Sequence, residues 1–312
     1  MAKARVTVTD TTCREVLRLG ASGSQLRLRL SNAMSPTPLR LSSVAVEGRP
    51  LGSYRIAPGE DVVTAPVELA ARRGQDLVVE LAVQGTAVLS EHTQGAATSR
   101  CAGLPPDRAG LVVDRVDVRA PAAPPGVLTI GDSLTDPKVL PPDTYARWTD
   151  VVAARLPDRP VVNAAIDGNR LLNPGGYGPT ATQRFERDVL RSPGVGTLLL
   201  LFGTNDITSG ASAEQITDAL EALVDRARRR GIRPVLLTLL PAGRRAPAYE
   251  QVRSQVNDWI RTSREQVVDT DVVVRDPAQP TRLLPAYDYG DGLHLSVAGQ
   301  RAVGEAVAAA IA

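Results

Sequence analysis

Ser133 follows the apolar run Val127-Leu128-Thr129-Ile130, which stops at Gly131 and Asp132. A hydroxyl at the end of a buried strand sits where open α/β sheets place their ligands. A serine hydroxyl is a weak nucleophile at neutral pH and needs a base beside it. The chain has two histidines, His92 and His294, and only His294 lies in the same half as Ser133. Asp291 stands three residues before it, in Asp291-Gly292-Leu293-His294. A tight turn puts such residues side by side, so the acid can accept the imidazole Nδ1–H and fix the tautomer. A tetrahedral oxyanion needs donors. The backbone N–H groups of Ser133 and Gly168 and the side-chain amide of Asn205 are the candidates. Together these groups describe acyl transfer. Taken singly, Gly-Asp-Ser, Gly203-Thr204-Asn205-Asp206 and Asp291-Gly292 are also ordinary turn sequences, and Asp291 with His294 also reads as a surface pair.

Elements able to bring these residues together follow from the hydrophobic pattern. After residue 126, strands alternate with helices. Strands are expected at 127–130, 160–163, 196–202, 234–240 and 267–275. Helices are expected from Asp143 to Leu156, over 180–190, after Ser212, over 249–264 and after Ser296. Ser212-Ala213-Glu214-Gln215 has the capping-box form, and Gly231 is a natural helix stop. Such alternation predicts a parallel sheet with helices on both faces. The C-terminal strand ends then share one edge, where Ser133, Gly168 and Asn205 converge and the loop before the last helix can reach. Asp132 and Asp206 are expected to brace their loops. Asn173-Pro174-Gly175-Gly176-Tyr177-Gly178 is read as a mobile pocket wall.

Residues 1–120 read as all-β. Short strands are expected at 4–9, 15–19, 25–31, 39–47, 76–84, 86–91 and 111–118. Leu26, Leu28 and Leu30 alternate with Arg27 and Arg29, the period of a half-buried antiparallel strand. This predicts a sandwich or jelly roll. No catalytic grouping is visible there, and His92 reads as a lone surface or edge histidine. The Pro-rich stretch 121–126 is expected to be a semi-rigid linker between this module and a catalytic domain spanning 127–312.

The four blocks, in this order, resemble the SGNH hydrolases, also called the GDSL esterase/lipase family. The resemblance covers the whole second domain. It implies a flavodoxin-like three-layer α/β/α fold and esterase chemistry. By the same resemblance Ser133 is nucleophile, His294 base and Asp291 its orienting acid, with Ser133, Gly168 and Asn205 as the oxyanion hole. One departure is Ala165 in Asn163-Ala164-Ala165-Ile166-Asp167-Gly168, where the family often has a first glycine. The loop is expected to shift slightly and keep its donor. Gln25-Leu26-Arg27-Leu28-Arg29-Leu30-Ser31-Asn32 and Thr281-Arg282-Leu283-Leu284-Pro285-Ala286-Tyr287 are similar to a bacterial branch of the family with an N-terminal β-rich module.

Composition excludes several classes. Lys+Arg 36 against Asp+Glu 34 leaves no basic footprint for nucleic acid or an anionic membrane. No run is long enough to span a bilayer. One histidine and scattered acids in the second half make no metal-ligand set, and no cofactor is implied. Without an apolar leader at the start, the chain as given reads as cytoplasmic, or as secreted if a leader was removed. Cys13 and Cys101 are expected to be free thiols, with a disulfide open but not required.

Tyr287 and Tyr289 either line the pocket or pack, and Asn169 and Tyr249 are further candidates for its wall. Arg244 and Arg245 are placed to meet a polar group. No long apolar lid suggests an interfacial lipase. The expected partner is therefore a small-molecule ester, a short acyl group on a small molecule or sugar. The alternatives are an acyltransferase using the same acyl-enzyme, or a non-catalytic glycan-binding protein. Oligomeric state is not legible.

Overall fold

A computed structural model of the chain describes residues 4–91, 99–104, 110–120, 124–141 and 143–312. His92 lies outside the described residues, as do 121–123 of the proline-rich stretch. The chain divides into two compact units, 1–123 with 141–143 and 124–140 with 144–312.

The first unit is built of antiparallel strands. They are β1 (Ala4–Arg18), β2 (Gly23–Ser31), β3 (Leu39–Val46), β4 (Arg49–Ile56), β5 (Asp61–Val63), β6 (Val67–Ala71), β7 (Asp76–Glu91), β8 (Arg100–Cys101), β9 (Gly110–Leu111) and β10 (Val113–Val118). Among the described residues one sheet runs β4-β3-β7-β1-β8, with β9 on β7; the other runs β10-β2-β5, with β6 on β2. Leu26, Leu28 and Leu30 of β2 bury the same face and pack into one core with Val6, Val8, Leu77, Val79 and Leu81 of the other sheet. The expected sandwich is therefore present. The expected strands at 4–9 and 15–19 are one strand, β1, carried through a bulge at Asp10, whose φ is 40°. Those at 76–84 and 86–91 likewise merge into β7.

Cys13 and Cys101 lie opposite each other on β1 and β8 and form a disulfide. This corrects the expectation of free thiols. They are 88 residues apart in sequence, and only the strand register brings them together.

The second unit contains β11 (Gly126–Gly131), α1 (Trp148–Arg155), β12 (Val161–Asn163), α2 (Ala181–Phe185), β13 (Val195–Leu201), α3 (Thr204–Thr208), α4 (Ala213–Arg229), β14 (Arg233–Leu237), α5 (Pro247–Thr262), β15 (Gln266–Val268), α6 (Thr270–Val274), the small pair β16 (Arg275–Asp276) and β17 (Gln279–Leu283), and α7 (Val297–Ile311). The main sheet has the order β12-β11-β13-β14-β15, and all of its pairs are parallel. That is the flavodoxin-like order, with the switch point beside β11. Gly126 already belongs to β11, and Arg159 Nε donates to Pro125 O, so the end of the proline-rich stretch belongs to this unit.

Local chemistry sets most boundaries. Ser212 caps α4 as expected, its Oγ accepting from Gln215 N while Gln215 Oε1 accepts from Ser212 N. Two expectations fail. The helix expected from Asp143 starts at Trp148, because Asp143 has a left-handed φ of 59° and the first helical turn closes only where Asp150 accepts from Arg147 N–H. The strand expected at 267–275 is β15 followed by α6, because Asp269 accepts from Val272 N–H and caps a helical turn. The helix expected over 180–190 is α2 widened into a π-helical turn at Glu186–Leu190.

Candidate active site

β11 is buried along its whole length and ends at Gly131. A Cβ at Gly131 would lie 2.5 Å from Thr135 Oγ1, so only glycine lets the next turn fold back this closely. Asp132 opens that turn. Its Oδ1 accepts from Leu134 N–H at 2.9 Å, and its carbonyl accepts from Thr135 and Asp136. Ser133 stands on the turn with 6% of its surface exposed.

His294 Nε2 is 3.0 Å from Ser133 Oγ, and His294 Nδ1 is 2.6 Å from Asp291 Oδ2. Asp291 Oδ1 also accepts from the N–H groups of Leu293 and His294, at 3.0 and 2.8 Å. Burial opposes the charge on Asp291, but the bonds from the His294 ring and from these two N–H groups outweigh it and hold the carboxyl below its ordinary value. With Asp291 ionised, the proton belongs on Nδ1, and Nε2 is left to accept from Ser133 Oγ–H.

The loop carrying the acid and the imidazole closes on itself. Tyr289 N–H donates to His294 O at 2.9 Å, Ser296 N–H donates to Tyr287 O at 2.8 Å, and Asp288 bridges Leu295. Ser296 then caps α7 through Gly299 N–H. Arg244, expected as a polar contact, braces this loop from outside: its Nη2 donates to Gly290 O at 2.7 Å and its stem lies against Gly292.

The three expected oxyanion donors come from three strand ends. The N–H groups of Ser133 and Gly168 have no acceptor among the described residues. Gly168 has a φ of 71°, and the ring of Tyr177 occupies the space a Cβ would need, 2.5 Å from that position. Asn205, in the first turn of α3, donates to Asn169 O at 3.0 Å and to Asp132 Oδ2 at 3.3 Å.

A model of the GDSL-like lipase/acylhydrolase family matches residues 129–302. The chain belongs to that family. Among solved structures, a protein of the G-D-S-L family from Desulfitobacterium hafniense is 21% identical, with a TM-score of 0.51 over 60% of this chain and 99% of its own. The native aryl esterase of M. smegmatis is 17% identical, with a TM-score of 0.50 over 59% of this chain and 96% of its own. Both show the fold. No curated protein matches the chain. As a GDSL hydrolase, the protein is an enzyme of the serine ester-hydrolase class.

Two of the other pocket candidates in this GDSL hydrolase, Asn169 and Tyr249, are buried. Asn169 is 1% exposed and is not a free wall residue. Its amide donates to Tyr177 O and Pro179 O, and its Oδ1 accepts from Arg184 Nε. Tyr249 is 7% exposed and lies on the buried face of α5. Burial pushes its hydroxyl pKa up, opposed by the neighbouring Thr204 hydroxyl, yet its Oη makes no hydrogen bond of normal geometry. Tyr287 is half-buried and packs on the core, with its carbonyl against Gly299 of α7. Tyr289 is 55% exposed on the acid–imidazole loop.

Asp206 braces as expected. Its carboxylate accepts from Leu171 and Leu172 N–H, at 3.0–3.1 Å, tying the loop after Gly168 to α3. Arg184 escaped the sequence reading. Its fully buried guanidinium donates to Ala164 O, Gly131 O and Asn169 Oδ1 and pairs with Asp188 at 3.0 Å. One cation thus joins the strand end before Ser133 to the loop that carries Gly168. An arginine on a short helix ordinarily reads as solvated, and nothing local marks this one.

Proposed function

We propose that this enzyme hydrolyses a short-chain acyl ester of a small molecule or sugar through an acyl-enzyme on Ser133. In this reading His294 is the general base, Asp291 orients it, and Ser133, Gly168 and Asn205 bind the oxyanion. The observation that carries the reading is the continuous chain Asp291 Oδ2–His294–Ser133 Oγ, with separations of 2.6 and 3.0 Å. Ser133 Oγ attacks the ester carbonyl as its proton passes to His294 Nε2. The alcohol leaves with that proton, and water activated by His294 releases the acid.

The surroundings favour a small ring-bearing substrate. The chain has only six tyrosines, yet two of them, Tyr177 and Tyr289, present exposed rings on the loops that carry Gly168 and His294. Tyrosine rings of this kind suit the faces of a sugar. The exposed large apolar side chains of the second unit come one each from separate loops and elements: Tyr145, Val162, Tyr177, Val272, Tyr289 and Val297. Such scatter suits a dissolved substrate better than a lipid surface. Among the described residues no helix is long and apolar enough to cross a membrane. Of the two expected locations, cytoplasmic or secreted, the Cys13–Cys101 disulfide favours the oxidising one.

The test is turnover of short p-nitrophenyl and acetylated-sugar esters, with and without added alcohols. Ser133→Ala and His294→Ala should each abolish turnover with the unfolding midpoint unchanged. A fluorophosphonate should add its mass to Ser133 in the folded protein. Near-wild-type rates in both variants would overturn the assignment. Predominant transfer to the alcohol would make the enzyme an acyltransferase.

A further inference from the structure

The Asn205 amide carries two hydrogens and so can donate two hydrogen bonds. Both already have acceptors within the protein, Asn169 O at 3.0 Å and Asp132 Oδ2 at 3.3 Å. An oxyanion can therefore receive an Asn205 N–H only if one of these bonds is given up. Resting on the serine-hydrolase reading above, we propose that Asp132 is a positioning residue that holds the Asn205 amide in the free enzyme and yields that N–H to the oxyanion during acylation.

The two acceptors differ in a way that decides which is released. Asn169 is fixed on every side. Its N–H donates to Ile166 O, its Oδ1 accepts from Arg184, and its amide holds Tyr177 and Pro179. Its bond to Asn205 is the shorter of the two and has ordinary length. The bond to Asp132 is longer than the usual range and correspondingly weaker. Asp132 also keeps its place without it, because Oδ1 remains bonded to Leu134 N–H at 2.9 Å. That bond, with those from Thr135 and Asp136 N–H to Asp132 O, makes the turn under Ser133. The Oδ2 contact adds nothing to the turn, and among the described residues the hydrogen bond it receives comes from Asn205.

Charge points the same way. Asp132 is 1% exposed, and among the described residues no cation pairs with it. The groups that face it are Asp206 of α3, Asp167 of the loop after β12 and Tyr249 of α5. Burial, followed by the two neighbouring acids, raises its carboxyl to about 7 against the pull of Leu134 N–H. Burial thus shifts Asp132 toward its uncharged form relative to an ordinary surface carboxyl. An uncharged carboxyl is a poorer acceptor for Asn205 and does not repel an oxyanion formed beside it.

In the acylation step, Ser133 Oγ bonds to the carbonyl carbon and its proton moves to His294 Nε2. The carbonyl π pair becomes the oxyanion lone pair. One Asn205 N–H turns from Asp132 Oδ2 to that oxygen while the other stays on Asn169 O. When the oxyanion collapses, the C–O bond to the alcohol breaks, the alcohol takes the proton from His294, and the Asn205 N–H returns to Asp132.

A crystal structure of the wild-type enzyme phosphonylated on Ser133 by a fluorophosphonate tests the exchange directly. Asn205 Nδ2 should lie within about 3.2 Å of the phosphonyl oxygen and keep Asn169 O, with Asp132 Oδ2 beyond about 3.5 Å. Retention of the Asp132 bond with loss of Asn169, or no contact from Asn205, overturns the proposal. Absence of any adduct on Ser133 instead removes the serine-hydrolase reading on which it rests. A double-mutant cycle gives the kinetic arm. Asp132→Asn should lower kcat about tenfold with KM within about twofold, and should have no further effect in an Asn205→Ala background. Additive losses would mean that Asp132 acts by stabilising the fold alone, and would refute the link. If Asp132→Asn fails to fold, the phosphonylated wild-type structure still decides.

Discussion

Gly168→Ala probes the join between the Gly168 loop and the glycine-rich segment that bears Tyr177. Two costs can be worked separately. The φ of 71° is a left-handed conformation, which costs an L-residue about 1–2 kcal/mol. The new methyl would also sit 2.5 Å from Tyr177 Cδ2 and 3.0 Å from Cε2. Ordinary carbon–carbon contact is about 3.5–4.0 Å, so the ring must retreat by roughly 1 Å. Tyr177 is tied through its backbone, its N–H reaching Gly168 O at 3.4 Å and its O accepting from Asn169 at 2.7 Å. Its ring is half-exposed and can turn, which puts the packing cost near the low end of overpacking, about 1 kcal/mol. The expected loss of stability is therefore about 2–3 kcal/mol, read from urea unfolding midpoints. The same displacement moves the Gly168 N–H. Complete loss of an oxyanion donor costs about 10²–10³ in kcat, so partial misplacement should cost about 10- to 100-fold, with KM nearly unchanged. Tyr177→Ala added to Gly168→Ala removes the packing cost and leaves the backbone cost. The double variant should recover about 1 kcal/mol and part of the lost kcat. A Gly168→Ala enzyme with wild-type kcat and midpoint would refute the reasoning, as would a defect that Tyr177→Ala leaves untouched.

Three further perturbations follow from the same structure. Glu15 is buried with its oxygens on Val112 and Val113 N–H, and burial raises its carboxyl from 4.5 to about 8; the folded state thus holds a proton that the unfolded state has released, and stability should fall as pH rises from about 4.5 to about 8, then level off. Glu15→Gln should flatten that slope in thermal unfolding while lowering stability at pH 5, because an amide NH₂ cannot accept from the second N–H; an unchanged slope would refute it. Replacing Cys13 and Cys101 by serine opens a link between residues 88 apart, which loop-closure entropy values at about 4–5 kcal/mol; a urea midpoint unmoved by the change or by reductant would show that the link does not form. Arg184→Met should cost about 3 kcal/mol, the low end for a broken buried pair because Arg187 still reaches Asp188, and should lower kcat more than it raises KM; full activity in a stable variant would show that the clamp does not hold the donors.

The legible parts of this protein were those decided by neighbours in sequence. The apolar run before Ser133, the alternation of Leu26, Leu28 and Leu30, the Ser212 cap and the three-residue spacing of Asp291 and His294 each state their structure within a few residues. The parts that were not legible depend on groups far away. Arg184 is buried because carbonyls from two strand ends and the Asn169 side chain receive it, and none of these is near it in sequence. The cysteines meet through the register of β1 with β8. Asn169, expected at the pocket wall, has both of its amide hydrogens taken by the returning loop, which no neighbour in sequence announces. At 270–274 the run Thr270-Asp271-Val272-Val273-Val274 favours a strand by β-branching, and the Asp269 cap overrides it. Tyr249 lies on the buried face of α5, a placement fixed only by what packs above it.

The self-closed loop from Tyr287 to Ser296 changes how many independent bodies must meet to make the reactive centre. The acid and the imidazole are delivered already joined, held by their own backbone and anchored to the start of α7. Within the Asp291–His294–Ser133 chain one long-range contact remains, the 161-residue span between His294 and Ser133, while Arg244 braces the loop from outside. Closure entropy grows only with the logarithm of the intervening length, about 0.6 kcal/mol per doubling. Segments inserted between the sheet elements that separate these two positions thus tax the encounter lightly and leave the proton-carrying pair undisturbed. The segment behaves as a cartridge: Asp291 and His294 travel together, so changes to the residues around them leave their mutual geometry intact as long as both are kept.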